Sequence, residues 1–382
     1  MIESVWPYLA VMLLAAGFWP AIERHFGWKV FEILPPIVLT YLTVTALSVG
    51  GLWTHSAEIQ GAQELLVKRL VPALLFLLMI SCDLRAILRL GPRVLGVFAC
   101  TSISLFAAFV LAFLIFRHWM PGDGWKPLAS LSGSWVGGTA NMIAVKQAIG
   151  MSDTSLATTL LTDALCYSMW VVVLFSVARL APSFNRWARA RSSADMAVAE
   201  TVARTPATVD SVLLWLGLAI GVAALATVLG ERLPVGSMVS STTWTILIAT
   251  FAGLVAAHTP LARLPGAQSV SSAMLISVVA VLASQSSFAG IAAAPLYLLC
   301  GVTVIALHAV FLCGFARLFH FDLYLCGISS LAHIGGVAAT PVLAATYSRS
   351  LVPVGILLAL LGYILGTGYG LVVASVLSAL AS

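Results

Sequence analysis

Charge is what this sequence has least of. Lys, Arg, Asp and Glu make up 9% of its 382 residues, against roughly 25% in an ordinary soluble domain. Hydrophobic residues make up 61%, and the mean hydropathy is +1.05. A soluble fold of this size cannot hide so much apolar surface, which excludes a soluble enzyme, a disordered scaffold and a secreted disulfide module. Basic stretches interleaved with aromatics are also missing. The 15 Arg and 4 Lys are spread over loops, so the net charge of +5 points to no nucleic-acid partner. There is no CxxC pair and no Cys/His cluster at metal spacing; Cys82, Cys100, Cys166, Cys300, Cys313 and Cys326 read as small buried side chains. No Gly-x-Ser-Gly elbow, Gly-x-Gly-Asp pair or His-Glu-x-x-His helix occurs, so catalysis is not expected, and no cofactor is called for. What is left is an all-α polytopic membrane protein whose partner is the lipid bilayer.

A spanning helix needs about 20 apolar residues to cross a core about 30 Å thick. Such runs fall at 5–22, 33–52, 66–83, 93–116, 128–149 and 153–180, then at 211–229, 242–257, 270–287, 293–315, 324–347 and 351–380. Met1-Ile2-Glu3-Ser4 puts an acid where a cleavable signal carries basic residues, so the first run is expected to remain as a span. The polar stretch 181–210 reads as a cytoplasmic linker with a short surface helix through Trp187. It separates an N-terminal repeat, 1–180, from a C-terminal repeat, 211–382.

The halves share a pattern. Val136-Gly137-Gly138-Thr139-Ala140 and Ile334-Gly335-Gly336-Val337-Ala338 stand 198 residues apart, and Pro92 and Pro295 open the preceding segments at a similar offset. Arg85, Arg89 and Arg93 place one loop inside, and Arg179, Arg186, Arg189, Arg191 and Arg204 place the linker inside too. Three full spans between them would put these on opposite sides. A re-entrant hairpin at 128–149, hinged at Gly137-Gly138, resolves the conflict. Treating 324–347 alike gives two inverted repeats of five spans plus one re-entrant or broken helix each, with both termini outside. The alternative is that both segments cross as unwound helices.

Irregular backbone at membrane depth survives only where protein or a polar cavity satisfies it. Paired breaks in inverted repeats are the construction of secondary transporters, whose half-helix ends hold substrate and ion; close helix packing is the competing use of such glycines. The candidate substrate residues are Ser134, Gly137, Gly138, Thr139, Asn141, His333, Gly335, Gly336, Val337 and Thr340. Asp163, among Thr158, Thr159 and Thr162, is a carboxylate in mid-helix, which costs about 2.5–3.5 kcal/mol on insertion scales. The position 198 residues later is Leu361, so the pattern breaks where one negative charge is needed. Asp163 with Asn141 is the candidate Na⁺ or H⁺ site, with Thr162, Ser284 and Gln285 as further cation-coupling candidates; capping by its threonines or pairing with Lys146 is the alternative. Asp83 reads as a helix-end residue, His308 as hydrogen-bonded structure, and Lys146 as an anion attractor or a snorkelling side chain.

The stretch Ser134–Asn141, the stretch His333–Leu343 and the tail Leu351–Gly366 resemble the YjcL-type family of bacterial integral membrane proteins, an uncharacterised family grouped with the cation:proton antiporter and anion transporter superfamily. The Gly-Gly turns are also similar to those of the glutamate:sodium and citrate symporters, though neither shows their full Gly-Gly-x-Gly. The resemblance implies an elevator-type core and scaffold, commonly a homodimer, in the bacterial cytoplasmic membrane. The expected function is secondary active transport of a small organic anion, amino acid or short peptide, coupled to Na⁺ or H⁺. The alternative is a monovalent cation/proton antiporter.

Overall fold

The computed structural model describes residues 1–382 except 29, 34, 35, 55, 81, 83, 191–206, 236–239, 286–293, 349, 350 and 382. The described residues are helical, with no strand beyond a single bridge between Ile2 and Trp53. The helices are α1 (Val5–Phe26), α2 (Val30–Ile33), α3 (Pro36–Val49), α4 (Ala57–Ile80), α5 (Leu84–Leu88), α6 (Gly91–Phe116), α7 (Trp125–Gly137), α8 (Thr139–Ala148) and α9 (Asp153–Val177). After them come α10 (Ala181–Ala188), α11 (Val209–Gly230), α12 (Ser241–Ala256), α13 (Ala267–Ala283), α14 (Ala294–Phe319), α15 (Leu323–Ile334), α16 (Gly336–Tyr347) and α17 (Val352–Ala381).

Six of these are long and apolar enough to cross a membrane, which makes the chain a multi-pass membrane protein. They are α1, α6, α9 with its extension to Ala188, α11, α14 and α17. The other expected spans are shorter or more polar. α3, α12 and α13 have 14, 16 and 17 residues, and α4 carries Glu58, Glu64, Lys68 and Arg69 between its start and its middle. Local signals in the sequence explain several boundaries. Pro92 and Pro295 stand in the first turns of α6 and α14, where a missing N–H costs nothing. Ser240 caps α12 by accepting from the Thr243 amide, and Asp322 caps α15 by accepting from Leu325. The surface helix expected through Trp187 is α10, with Trp187 half exposed.

The chain forms two compact units, and each takes blocks from both halves of the sequence. Unit 1 comprises Met1–Ser81, Lys146–Leu165 and Thr205–Tyr297; unit 2 comprises Cys82–Val145, Cys166–Arg204 and Leu298–Ser382.

Unit 1 packs α4 against α11, α12 and α13, and α1 and α3 against α13. Polar side chains knit this apolar body where α13 ends. The Tyr8 hydroxyl lies 2.6 Å from Ser284 Oγ, Gln63 donates to the same oxygen at 2.9 Å, and Ser48 donates to the Ser284 carbonyl at 2.7 Å. Ser284 itself donates to Val281 O, so Tyr8 is a donor here. Burial away from water makes each of these bonds costly to lose. Tyr8→Phe is expected to lower stability by about 1 kcal/mol; a melting curve in detergent identical to wild type would show that the bond contributes nothing.

Unit 2 is built on a core shared by α6, α14, α15 and α17, with Phe98, Ile328 and Leu358 among its buried members. Five cysteines are buried as the sequence suggests, but Cys313 on α14 is exposed. Asp83, Ser286, Ser287 and most of the linker lie outside the described residues.

Candidate functional site

Both Gly-Gly pairs break a helix, the first at Gly138 and the second at Gly335. The second glycine of each pair has a positive φ, Gly138 at +80° and Gly336 at +60°, which a residue with a Cβ rarely adopts. In each case the chain then folds back. Ser130 of α7 donates to the Met142 carbonyl of α8 at 2.9 Å, and a Cβ on Gly133 would meet the Asn141 carbonyl at 3.3 Å. A straight helix would hold residues 130 and 142 about 18 Å apart. α7 and α8 are therefore the arms of a hairpin. The same holds for α15 and α16, because a Cβ on Gly327 would lie 3.0 Å from the Tyr347 hydroxyl. At both places the chain doubles back at its glycine pair.

The two tips meet on α17. A Cβ on Gly138 would stand 3.1 Å from the Tyr363 ring, and one on Gly336 would stand 3.5 Å from the Tyr363 hydroxyl. The contact is tight at Gly138 and ordinary at Gly336, where the positive φ is what calls for glycine. α7 lies antiparallel along the second half of α17: Gly137 faces Gly366, while Gly133 and Ala129 face Gly370. α16 lies antiparallel along its first half, with Thr340 and Ala344 against Gly355. The hairpins thus reach the middle of α17 from opposite ends. At one end Arg117 of the α6 terminus donates to Leu380 O; at the other Arg93 pairs with Asp322 at 3.6 Å, at the base of the second hairpin.

Asn141 locks the first tip in place. Thr367 donates to its Oδ1, while its Nδ2 donates to the Gly137 carbonyl and, at 3.4 Å, to the Tyr363 carbonyl. It is 1% exposed, and its amide oxygen is taken up by a side chain of α17. On the second hairpin Thr340 donates to Gly336 O at 2.6 Å. His333 is buried with both ring nitrogens engaged, Nδ1 donating to Ser329 O at 2.8 Å and Nε2 lying 2.8 Å from Ser102 Oγ. His308 is likewise held, between Ser104 at 2.6 Å and Ser330 at 2.9 Å, with Trp170 donating to Ser330. Ser104 donates to Thr101 O, so His308 carries its proton on Nδ1 and accepts at Nε2. Both histidines are hydrogen-bonded parts of the framework.

Ser134, Gly137, Gly138, Thr139, Asn141, His333, Gly335, Gly336, Val337 and Thr340 all belong to unit 2 and lie on the two hairpins. The Val337 side chain is outside the described part. The cation candidates divide. Thr162, Asp163, Ser284 and Gln285 belong to unit 1, and Asn141 belongs to unit 2. Thr162 is buried with its hydroxyl unpartnered, beside the half-buried Asp163. Lys146 pairs with Asp153 at 2.7 Å, which accounts for its buried charge without an anion or Asp163. Among the described residues no three His, Cys, Asp or Glu come together as a metal centre.

Tyr363, Gly366 and Thr367 are the site residues that sequence reasoning missed. Their signal was present, since Gly362, Gly366 and Gly370 repeat every four residues along one face of α17.

A family model matches residues 8–380, nearly the whole chain. The chain belongs to that family, described as "Protein of unknown function (DUF819)". The match agrees with the resemblance to an uncharacterised family, and neither a superfamily nor a symporter likeness comes with it. No curated protein matches this DUF819 chain.

Proposed function

We propose that this protein is a secondary active transporter for a small organic anion, amino acid or short peptide in the bacterial cytoplasmic membrane. One observation carries the reading: two helical hairpins reach the middle of α17 from opposite ends and present their glycine tips to Tyr363. The N-termini of α8 and α16 open at those tips, where unpaired backbone N–H groups and the positive ends of the helix dipoles favour an anionic group. Ser134, Thr139 and Tyr363 supply neutral polar groups beside them. Polar breaks inside an apolar body fit a route for solute through a membrane.

The paired hairpins, 198 residues apart, and the blocks that each unit takes from both halves support an inverted repeat with unit 2 as the transporting core and unit 1 as the scaffold. An elevator mechanism, a homodimer and a kinship with the symporters belong to the same proposal. Arg93, α10 and the base of the second hairpin lie at one end of unit 2, which the positive-inside rule assigns to the cytoplasm. Coupling to Na⁺ or H⁺ is assigned to Asp163 with Thr162, whose orphan hydroxyl and neighbouring carboxylate offer the oxygen donors a hard cation takes.

The test is transport current from proteoliposomes on a solid-supported membrane, with small carboxylates, amino acids and dipeptides offered under Na⁺ or pH gradients. A current with one class, abolished by Gly336→Val, is expected. Proton flux driven by monovalent cations with no organic substrate would favour the antiporter instead. Asp163→Asn is expected to abolish coupled uptake and leave expression intact. A ligand at 100 times its dissociation constant stabilises by about 2.7 kcal/mol. Melting in NaCl against KCl should therefore show a Na⁺-specific shift in the wild type and none in Asp163→Asn. The same shift in both proteins removes Asp163 from the ion site.

A further inference from the structure

One end of unit 2 collects arginines, with few acids among the described residues there. Arg85 and Arg89 lie in and after α5, and Arg93 in the first turn of α6. Arg179 precedes α10, Arg186 and Arg189 lie in it and at its end, and Arg317 lies in the last turn of α14. Hydrogen bonds gather these segments at one place. Arg93 donates to His320 O at 3.3 Å, His320 Nδ1 donates to Ala188 O at 3.1 Å, and the Leu323 amide donates to Asn185 Oδ1 at 2.9 Å. The described acids of this unit are Asp123 and Asp322. Asp123 precedes α7 and pairs with Lys126. Asp322 is buried, caps α15 and faces Arg93.

α10 is shaped to lie along a surface. Ala181 and Ala188 are buried and Phe184 packs on the core, while Arg186, Trp187 and Arg189 face outward. Leu180, just before it, is 55% exposed and Trp187 is 51% exposed. Indole and long apolar chains seat at the level of lipid headgroups, and guanidinium groups beside them pair with phosphates.

We propose that α10 and the arginines around it form a docking surface for anionic phospholipid headgroups, and that occupancy of this surface steadies the second hairpin. The link is direct. Asn185 and Ala188 of α10 hold the residues on which α15 starts, so a displacement of α10 is passed to the base of the hairpin. Headgroup charge at the inner leaflet attracts such a cluster and is screened by salt. The proposal does not depend on what the hairpin tips bind, and its test reads no transport.

The experiment uses the full chain in neutral detergent, with phosphatidylglycerol or phosphatidylcholine added at equal mole fraction, or soluble glycerol 3-phosphate. Phosphatidylglycerol is expected to raise the melting temperature by roughly 3–6 °C over phosphatidylcholine and to slow hydrogen exchange in Leu323–Tyr347 several-fold. Arg186→Gln/Arg189→Gln and Trp187→Ala should lose the shift, while Arg117→Gln, at the other end of the unit, keeps it. Asn185→Ala should keep lipid binding, counted by native mass spectrometry, and lose the exchange effect. Equal shifts from the two lipids, or a full shift in the double variant, overturn the docking surface. An equal response to glycerol 3-phosphate overturns the lipid as its source. Slowed exchange in Asn185→Ala overturns the link to the hairpin.

Discussion

Gly366→Ala is expected to destabilise the protein by about 3 kcal/mol or more. The new Cβ would stand 2.5 Å from Gly137 Cα, 2.8 Å from Gly137 N and 2.9 Å from Asn141 Cγ. These are backbone atoms and a fully engaged amide, so nothing nearby can turn aside, and the first hairpin must lift off α17. The same substitution at Gly368, two residues further along α17, meets nothing within 4 Å. There the expected change is a gain of about 0.5–1 kcal/mol from helix propensity alone. Thermal or SDS-induced unfolding of the two variants beside wild type decides the matter. Equal stabilities for Gly366→Ala and Gly368→Ala would mean that the hairpin tip does not approach α17 as described.

The second large effect is expected at Asn141. Asn141→Ala removes the acceptor of the Thr367 hydroxyl and the donor that serves the carbonyls of Gly137 and Tyr363, all inside a buried contact. Leaving those groups without partners should cost about 2–4 kcal/mol. Thr367→Val removes one end of the same bond and should cost less, since the Asn141 amine keeps its acceptors. Combining the two substitutions isolates their interaction, expected at about 1 kcal/mol. Strictly additive losses would show that the two side chains do not act on each other. Asn141 thus reads as the clasp between the first hairpin and α17. The sequence had offered it to substrate and to a cation.

Helix positions and the two breaks were legible in the sequence because they follow from local rules. Apolar runs of the right length are helices in a chain that must satisfy its own backbone, and a Gly-Gly pair in an apolar run is where a helix can turn. The likeness of the two glycine pairs was visible for the same reason, since a recurring pattern is a property of the sequence itself. The location of His308 in hydrogen-bonded structure was a weaker inference, because a lone polar residue in a span states only that it needs a partner.

The partner is what tertiary structure decided. Lys146 found Asp153, five residues after its helix ends, instead of a ligand. His333 found Ser102, 231 residues away. Tyr363 drew no notice on a helix of small and apolar residues, and only the approach of two glycine tips gives it a place in the site. The blocks that make up the two units were likewise beyond composition and spacing, because each unit joins segments from both halves of the chain. Composition and spacing fixed the membrane class, the helices and the hinges through short-range chemistry. Which hinge meets which helix rests on packing between residues far apart in the chain, and the glycines of α17 acquire their meaning only there.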